Sequence, residues 1–473
     1  MPQDAPENTS VTTELAAFTA GVSLQHVPAE VVERAPYLVL DLIGNIVRGR
    51  AEAESTPSLL AGIRALGLAG GNAVVFGDSH RYAPTGAALA NATLGHSLDF
   101  DDTHRAGSLH PGVTAIPAAL AAGEMAGASG AEVLAGIVAG YEVSCRLALA
   151  LPAGEHYARG FHPTATCGAF GAAAAAGRVL GLTAANIRSA FGIALSQTAG
   201  SLEFLVDGAW TKRFQVGWSS MSGLAAASFA QAGFKGPAAA FEGPHGFLRA
   251  YAPSPRPERA LEHLGVRFEL MNTAVKPYPS CRFGHAGIDA VLALRAEYGL
   301  RPEEIETVTL GISQAGMRLI GEPAAKKADP RNVVDGQFSG PFVLAVALAT
   351  GGMGWDSYRL LEDREVVSLL PKIRCTLDPE VEAQFPANMA AKVTIKARGQ
   401  SFERTELVPK GEPERFLTGA ELKAKFASLA GPVLGEARAA ALTDVTLNIA
   451  GLADISTLMR QGGLSTPVRL AGE

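Results

Sequence analysis

Cysteine is scarce in this sequence and widely spaced. The four cysteines are Cys145, Cys167, Cys281 and Cys375, and no two of them form a CxxC pair. A structural zinc site or a disulfide framework needs clustered or regularly spaced cysteines, so neither is indicated. We therefore expect reduced thiols and a cytoplasmic protein.

Several catalytic motifs are missing as well. The sequence has no GxGxxG segment after a predicted strand, no phosphate-binding P-loop and no GxSxG nucleophile motif. These absences leave little support for a nucleotide-dependent enzyme, a flavoprotein or a serine hydrolase. There is no HExxH segment either, so a metal site is not favoured.

Excess positive charge and long uninterrupted apolar runs are also absent. The formal net charge is −6, whereas a nucleic-acid-binding protein needs a basic face, so we expect no nucleic-acid partner. The most apolar run, residues 165–182, contains glycines and Arg178, which is typical of a core helix. The N-terminus is polar and has no signal-peptide pattern, so we expect no membrane partner.

Two kinds of periodicity divide the chain. Residues 1–268 contain Ala-rich runs with apolar residues at helical spacing. Residues 269–406 mix helical segments with alternating strands, predicted at 307–312, 372–377 and, as a hairpin, 393–404. Helical periodicity returns in 407–473. The predicted fold is mainly α with a smaller α+β domain.

The densest cluster of ionisable residues lies at 91–111, between two apolar segments. It contains three carboxylates and three histidines: Asp99, Asp101, Asp102, His96, His104 and His110. Such groups between core helices are costly unless they pair or function. Asp99 and Thr103 are four residues apart and would share one face of a helix. The alternative interpretation is the solvated C-terminus of a helix.

The second candidate is the segment 210–218 (WTKRFQVGW). Lys212 and Arg213 stand between apolar helices and precede a Ser-rich helix start predicted at Ser219. Helix N-termini attract anions, so Lys212 is a plausible carboxylate ligand. The alternative is a surface turn with two basic residues.

The third candidate is a proline-bracketed loop at 276–285. It would hold Lys276, Arg282 and His285 near the predicted domain boundary, where substrate clefts are common. A lone histidine is more often structural, and the spacing of Cys281 from histidine matches no nucleophile signature. His162, followed by Pro163, is a weaker candidate of the same kind.

Together these segments resemble the MmgE/PrpD family over roughly residues 15–460. The matching segments are 95–103 (GHSLDFDDT), 110–112 (HPG), 211–213 (TKR), 241–243 (FEG) and 278–281 (YPSC), with His285 beyond them. The family includes 2-methylcitrate dehydratase, cis-aconitate decarboxylase and iminodisuccinate epimerase.

The resemblance implies a homodimer that acts on a small polycarboxylate with no metal or organic cofactor. It also implies a large all-helical domain formed by both chain ends, with the α+β domain inserted as a lid. The matching positions imply a catalytic role for Asp99, His110, Lys212 and His285. Substrate-binding roles are expected for Thr103, His162, Lys276 and Arg282.

Two departures argue against methylcitrate as the substrate. After His110-Pro111 this sequence continues Gly112-Val113-Thr114, where a 2-methylcitrate dehydratase is expected to be Asn-rich. The stretch 103–110 is similar to the epimerase and decarboxylase branches. Gln215 stands where many relatives have a histidine.

The predicted chemistry is that of a lyase or isomerase that makes or consumes a carbanion α to a carboxylate. Such a reaction needs a base of near-neutral pKa and cations that stabilise the developing charge. Either His110 or His285 would be the base and the other the acid, while Lys212 binds a substrate carboxylate. Dehydration, decarboxylation and epimerisation all stay open. A non-catalytic carboxylate-binding protein and a metal-dependent hydrolase are the competing classes.

Overall fold

The computed structural model describes residues 10–464, which form two compact units. One unit combines the chain up to Ala274 with the chain from Gly419 onward, and the other is Val275–Thr418. The first unit is helical apart from two short strand pairs, and the second combines helices with a four-stranded sheet. The predicted fold is confirmed, including the return of the C-terminal segment to the helical unit.

Helices occur in both units. The first unit begins with α1 Val11–Gly21, α2 Ala29–Glu52, α3 Thr56–Ala65, α4 Pro84–Gly95, α5 Gly112–Ala126, α6 Gly130–Ala150, α7 Ala153–Ala158, α8 Pro163–Val179, α9 Ala184–Leu195, α10 Phe204–Asp207, α11 Thr211–Gln231, α12 Phe247–Tyr251 and α13 Glu258–Leu261. The second unit contains α14 His285–Tyr298, α15 Gln314–Gly316, α16 Ala324–Lys327, α17 Val333–Gln337, α18 Gly340–Thr350, α19 Arg364–Leu369 and α20 Pro379–Glu382. The first unit resumes with α21 Gly419–Leu434, α22 Glu436–Leu447 and α23 Ser456–Gly462.

The strands form three sheets. In the first unit the antiparallel pairs are β1 Ala69–Val74 with β2 Arg81–Tyr82, and β3 Thr103–His104 with β4 Thr273–Ala274. The sheet of the second unit has the order β6-β5-β7-β8, with β5 Ile305–Ile312, β6 Ile373–Leu377, β7 Ala391–Ala397 and β8 Gln400–Glu406. Strand β5 is parallel to β6 and antiparallel to β7. The predicted strands at 307–312 and 372–377 are confirmed.

The predicted hairpin is also confirmed. Ala397 of β7 pairs with Gln400 of β8, so Arg398 and Gly399 make the turn. Both have positive φ, 56° and 69°, as a tight turn that matches the twist of its strands requires.

Small residues let the central helices of the first unit approach one another closely. Helix α8 packs against both α6 and α11. A Cβ atom at Gly223 of α11 would lie 2.5 Å from the backbone nitrogen of Ala173 in α8. A Cβ atom at Gly140 of α6 would lie 2.9 Å from the carbonyl oxygen of Gly171 in α8. Alanine and glycine are therefore needed at these contacts because their backbones nearly touch.

Helix α6 is long and apolar enough, by length and composition, to cross a membrane. However, 94% of its most apolar window is buried inside the protein. The apolar side chains of α6 are therefore covered by neighbouring parts of the protein, as they are in a core helix.

The boundaries between the units differ from the predicted ones, which sequence periodicity placed at 268/269 and 406/407. The chain stays with the helical unit up to Ala274 because β4 pairs with β3. The segment after β8 stays with the second unit up to Thr418. There the Arg415 guanidinium lies 3.0 Å from Glu406 and 3.3 Å from Asp289, and Val275 N–H donates to the Gly411 carbonyl. Two of these contacts join residues that are far apart in the sequence, so sequence periodicity could not place the boundaries correctly.

Candidate active site

The segment 96–104 is a buried, non-helical turn. Helix α4 ends at Gly95, and Leu98 and Phe100 insert into the core. Asp99 has a φ of 52°, a left-handed conformation that is strained for a residue with a Cβ. Thr103 lies in strand β3. The expectation that Asp99 and Thr103 share a helix face is therefore wrong, because the chain turns between them.

The solvated-terminus interpretation is wrong as well. Asp101, Asp102, His96 and His104 are each 5% exposed or less. Burial of so many ionisable groups is tolerated only where each has a partner. The partners come from distant parts of the chain.

Helices α2 and α21 support this turn from behind. Lys425 of α21 is buried, and its Nζ donates to the Phe100 carbonyl at 2.8 Å and lies 3.8 Å from the Phe100 ring centre. The same Nζ is 2.6 Å from Asp41 Oδ1 of α2. Burial raises the pKa of Asp41 to about 6, even though the nearby charge of Lys425 acts in the opposite direction. The C-terminal segment thus fixes the backbone between Asp99 and Asp101.

Lys212 forms an ion pair with Asp99. Its Nζ is 2.7 Å from Asp99 Oδ1, and the two side chains are 31% and 16% exposed. Burial opposes the charge on Lys212, but attraction to Asp99 and the hydrogen bond between them raise its pKa above the usual value. The lysine is therefore a charged group at the edge of the buried cluster.

Helix α11 begins at Thr211, earlier than the start predicted at Ser219. Lys212 thus lies in its first turn, and the surface-turn alternative is wrong. The helix extends this far because Val216 is buried and Gly217 approaches α4, where a Cβ would lie 2.6 Å from the Leu89 carbonyl. The aromatic residues that interrupt the pattern, Trp210, Phe214 and Trp218, are about 40% exposed.

His96, Asp101 and His110 form a compact group. One carboxylate oxygen, Asp101 Oδ2, lies 2.8 Å from His96 Nδ1 and 3.1 Å from His110 Nδ1. The His96 contact is a hydrogen bond, whereas His110 Nδ1 lies close to the carboxylate oxygen without hydrogen-bond alignment. Burial alone would raise the pKa of Asp101, but the two imidazoles hold it well below its usual range. Burial lowers the pKa of His96 to about 4, so this ring is neutral at pH 7.

His162 is the third histidine of the cluster. It precedes α8, and its ring stacks on His96 with centres 6.2 Å apart. Gln215 of α11 donates from Nε2 to the Ser201 carbonyl at 2.8 Å, which turns its Oε1 toward His162 Nδ1 at 3.0 Å. Burial and the nearby positive charge of Lys212 lower the pKa of His162 well below its usual value.

The other ionisable residues of the segment have structural partners. Asp102 Oδ2 lies 2.5 Å from the Tyr141 hydroxyl, and its Oδ1 accepts from the Gly112 N–H. Burial, with repulsion from Asp101 and Asp41, raises the pKa of Asp102 to about 8. His104 Nε2 is 3.1 Å from Glu269, and its Nδ1 accepts from the Gly107 N–H. These bonds tie the turn to α5, α6 and the loop at 105–109.

The helical unit thus brings together four of the predicted residues: Asp99, His110, His162 and Lys212. Thr103 lies in the same turn and is buried. Roles for Asp101, His96 and Gln215 were not predicted from the sequence. Asp101 and His96 lie inside the 95–103 motif. Their position between two apolar segments was the one sequence signal that they pair or function. Their partnership was not predictable because it depends on the turn.

The remaining predicted residues lie in the second unit. His285 begins α14 and is buried, with Nε2 3.1 Å from the Ser280 carbonyl and its ring edge-on to Tyr278. Lys276 is 5% exposed. Arg282 forms an ion pair with the buried Glu412. The charge of Arg282 is therefore balanced inside the unit. The catalytic role of His285 and the substrate-binding roles of Lys276 and Arg282 stay predictions.

One group of side chains in the described range 10–464 could hold a metal ion. Potential ligand atoms of His96, Asp101 and His110 all lie within 4.8 Å of one another. Two histidines and a carboxylate are a known set of metal ligands. Here, however, a hydrogen bond joins His96 Nδ1 to the Asp101 carboxylate and uses one potential ligand atom of each residue. The arrangement fits hydrogen bonding better than coordination.

Comparisons with known proteins identify the family. Residues 13–260 match the MmgE/PrpD N-terminal domain, and residues 278–449 match the MmgE/PrpD C-terminal domain. The cis-aconitate decarboxylase-like protein oryM of Aspergillus oryzae is 27% identical, over 96% of this chain and 98% of that protein. Cis-aconitate decarboxylases of Aspergillus terreus and Homo sapiens are each 26% identical, over 98% and 95% of this chain and 98% and 94% of their own lengths. The chain therefore belongs to the MmgE/PrpD family.

Proposed function

We propose that this member of the MmgE/PrpD family is a lyase that decarboxylates cis-aconitate or a close di- or tricarboxylate analogue. One observation carries the proposal. A charged lysine, Lys212, and a histidine in contact with a carboxylate, His110, are both partly exposed in the same otherwise buried cluster. A cation beside a proton-transfer group is what a carbanion α to a carboxylate requires. The near full-length similarity to cis-aconitate decarboxylases supports the substrate class.

Lys212 is the proposed anchor for one substrate carboxylate. Its pairing with Asp99 keeps it protonated, and it lies at the edge of a cluster of buried imidazoles. As negative charge moves from a carbon atom onto the adjacent carboxylate, the ammonium stabilises the resulting dianion. Thr103, in the same turn, is proposed to hydrogen-bond the substrate.

The proposed step begins with the loss of one carboxylate. The bond between the methylene carbon and its carboxylate breaks, CO2 leaves, and the electron pair forms a new C=C bond to the central carbon. The electrons of the old double bond move to the carbon α to the second carboxylate. That carbon takes a proton from His110, and the product is a five-carbon unsaturated dicarboxylate.

His110 is the proposed proton donor because Asp101 can stabilise its imidazolium form. His162 is proposed to remain neutral and to position the substrate by hydrogen bonding, because Gln215 offers it no negative charge. His285, Lys276 and Arg282 keep their predicted roles, and His285→Gln belongs in the same assay.

Dehydration and epimerisation would use the same carbanion and the same residues. Decarboxylation is favoured because the similar proteins of Aspergillus and Homo sapiens are decarboxylases or decarboxylase-like. The Gly112-Val113-Thr114 continuation, which departs from the dehydratase pattern, favours it too.

The test is an NMR screen of the purified chain in D2O against cis-aconitate, citrate, 2-methylcitrate and iminodisuccinate. We expect loss of CO2 from cis-aconitate, with one deuterium in the product. Lys212→Met should lose this activity, whereas Lys235→Met, the same change at an exposed lysine, should retain it. Turnover of citrate or 2-methylcitrate alone would make the protein a dehydratase instead.

Two outcomes would reject the proposal entirely. Saturable binding without turnover of any of the four acids would indicate a carboxylate-binding protein. Loss of activity on chelation would indicate metal-dependent chemistry. The homodimer also stays a proposal, which light scattering of the purified chain tests.

A further inference from the structure

Asp101 is a buried carboxylate shared by two histidines, one at each end of the segment 96–110 between α4 and α5. Its side chain is 1% exposed, while His96 caps the C-terminus of α4 and His110 immediately precedes Pro111 and α5. Both imidazoles approach the same oxygen through Nδ1. The two contacts therefore use the same atoms, Oδ2 of Asp101 and Nδ1 of each histidine.

This contact determines which nitrogen of each ring is protonated. An ionised carboxylate only accepts hydrogen bonds, so an unprotonated Nδ1 at 2.8 or 3.1 Å would place two lone pairs against each other. His96, whose Nδ1 makes a hydrogen bond, must therefore have its proton on Nδ1 when neutral, and the same repulsion at 3.1 Å favours a proton on Nδ1 of His110. In His110 this leaves Nε2 as the atom that can take or deliver a proton.

The two histidines differ in what they can do next. His96 is fully buried, its Nε2 has no hydrogen-bond partner among the described residues, and burial disfavours its charged form. It can hold Asp101 in place but is unsuited to becoming a cation. The His110 side chain is 15% exposed, so it is the member of the group that a substrate can reach.

We infer that Asp101 is a positioning residue for His110: it fixes the Nδ1–H tautomer, presents Nε2 for proton transfer and stabilises the imidazolium, while His96 holds Asp101 in register. The inference rests on the proposed function for its catalytic consequence. The tautomer itself is a property of the free protein and does not depend on any substrate.

The first experiment uses the wild-type protein labelled with 15N in its histidines. Long-range 1H–15N spectra distinguish the two tautomers, and His110→Gln assigns the His110 signals. We expect Nδ1–H in His110. A predominantly Nε2–H ring in the wild type would overturn the inference, whether or not any variant folds.

The second experiment compares Asp101→Asn with Asp102→Asn, its neighbour of similar burial that contacts Tyr141 rather than a histidine. An amide can turn an N–H toward His110, so Asp101→Asn should shift the ring to the Nε2–H tautomer. By analogy with other carboxylate–histidine pairs, kcat should fall by about 1,000-fold or more. KM should change far less, and the far-UV circular dichroism should be unchanged. Asp102→Asn should leave the His110 tautomer as it is.

Two results would contradict the inference in this comparison. The first is an Asp101→Asn variant that keeps both the tautomer and kcat of the wild type. The second is stoichiometric metal, found by elemental analysis, whose removal abolishes the activity. The failure of the proposed function looks different, because in that case no acid is turned over, yet the wild-type spectrum still decides the tautomer.

Discussion

His110 and His162 are two histidines of one cluster with opposite surroundings. His110 Nδ1 contacts the carboxylate of Asp101, whereas His162 Nδ1 contacts the amide oxygen of Gln215. Both contacts favour a proton on Nδ1. The carboxylate stabilises a positive charge on the ring more strongly than the neutral amide oxygen does.

The difference separates two tasks that a lyase site needs. A histidine beside a carboxylate is suited to cycle between imidazole and imidazolium. A histidine beside an amide, with a pKa held well below its usual value by burial and by the nearby Lys212, is suited to remain a neutral hydrogen-bonding group. We therefore propose proton transfer by His110 and positioning by His162.

The largest expected effect distinguishes these two roles directly. His110→Gln should lower kcat by about 1,000-fold, within the range that general acid–base catalysis supplies. His162→Gln should lower kcat/KM by only about 10-fold, mostly through KM, because it removes a hydrogen bond rather than the proton donor. Steady-state kinetics on cis-aconitate measures both. His245→Gln, at an exposed histidine, is the control, and equal losses in the two variants would end the distinction.

The positive charge of Lys212 should matter nearly as much as His110 does. Lys212→Met should lower kcat/KM by about 100-fold or more, because it removes a preorganised charge that stabilises the developing negative charge. Asp99→Asn should cost less, about 10-fold, since the lysine remains but its charge is less favoured. Kinetics with Lys235→Met as reference tests the order. A larger loss in Asp99→Asn than in Lys212→Met would contradict it.

A substitution can make the surroundings of His162 resemble those of His110. Gln215→Glu gives His162 a carboxylate partner, so the pKa of His162 should rise and the ring should become cationic at higher pH than in the wild type. An NMR titration measures that pKa. Activity should fall by about 10-fold near neutral pH as His162 becomes charged beside Lys212. Gln215→Leu, which removes the acceptor without adding charge, should leave the low pKa of His162 in place.

The smallest effect concerns Asp102, the carboxylate beside Asp101. Its folded pKa of about 8 lies above the value of about 4 for an unfolded aspartate. Its contribution to stability is therefore complete below pH 4 and is lost as the pH rises toward 8, because the unfolded chain ionises freely and the folded one does not. Asp102→Asn should flatten this fall. Urea unfolding at pH 5, 6.5 and 8 checks it, and parallel pH dependences in the two proteins would contradict the assignment.

Sequence periodicity predicted what depends on local repeats. The strands around Val308 and Ile373 and the hairpin turn follow from alternation in short windows. The family resemblance supplied the motif residues Asp99, His110 and Lys212.

Sequence could not predict contacts between distant segments. The spacing of Asp99 and Thr103 suited a helix, but Leu98 and Phe100 enter the core in a turn that Lys425, far along the chain, holds in place. The partnership of His162 with Gln215 joins two helices whose approach depends on small residues elsewhere. Such roles require the fold.

The most direct test of the central claim, that His110 delivers the proton, is the deuterium content of the product formed from cis-aconitate in D2O. The wild type should place one deuterium, with a single stereochemistry, on the carbon α to the retained carboxylate. His110→Gln should form this product about 1,000-fold more slowly, with the stereochemistry weakened. If His110→Gln gives the same product at the wild-type rate and with the same stereochemistry, the proton comes from another group and the claim is wrong.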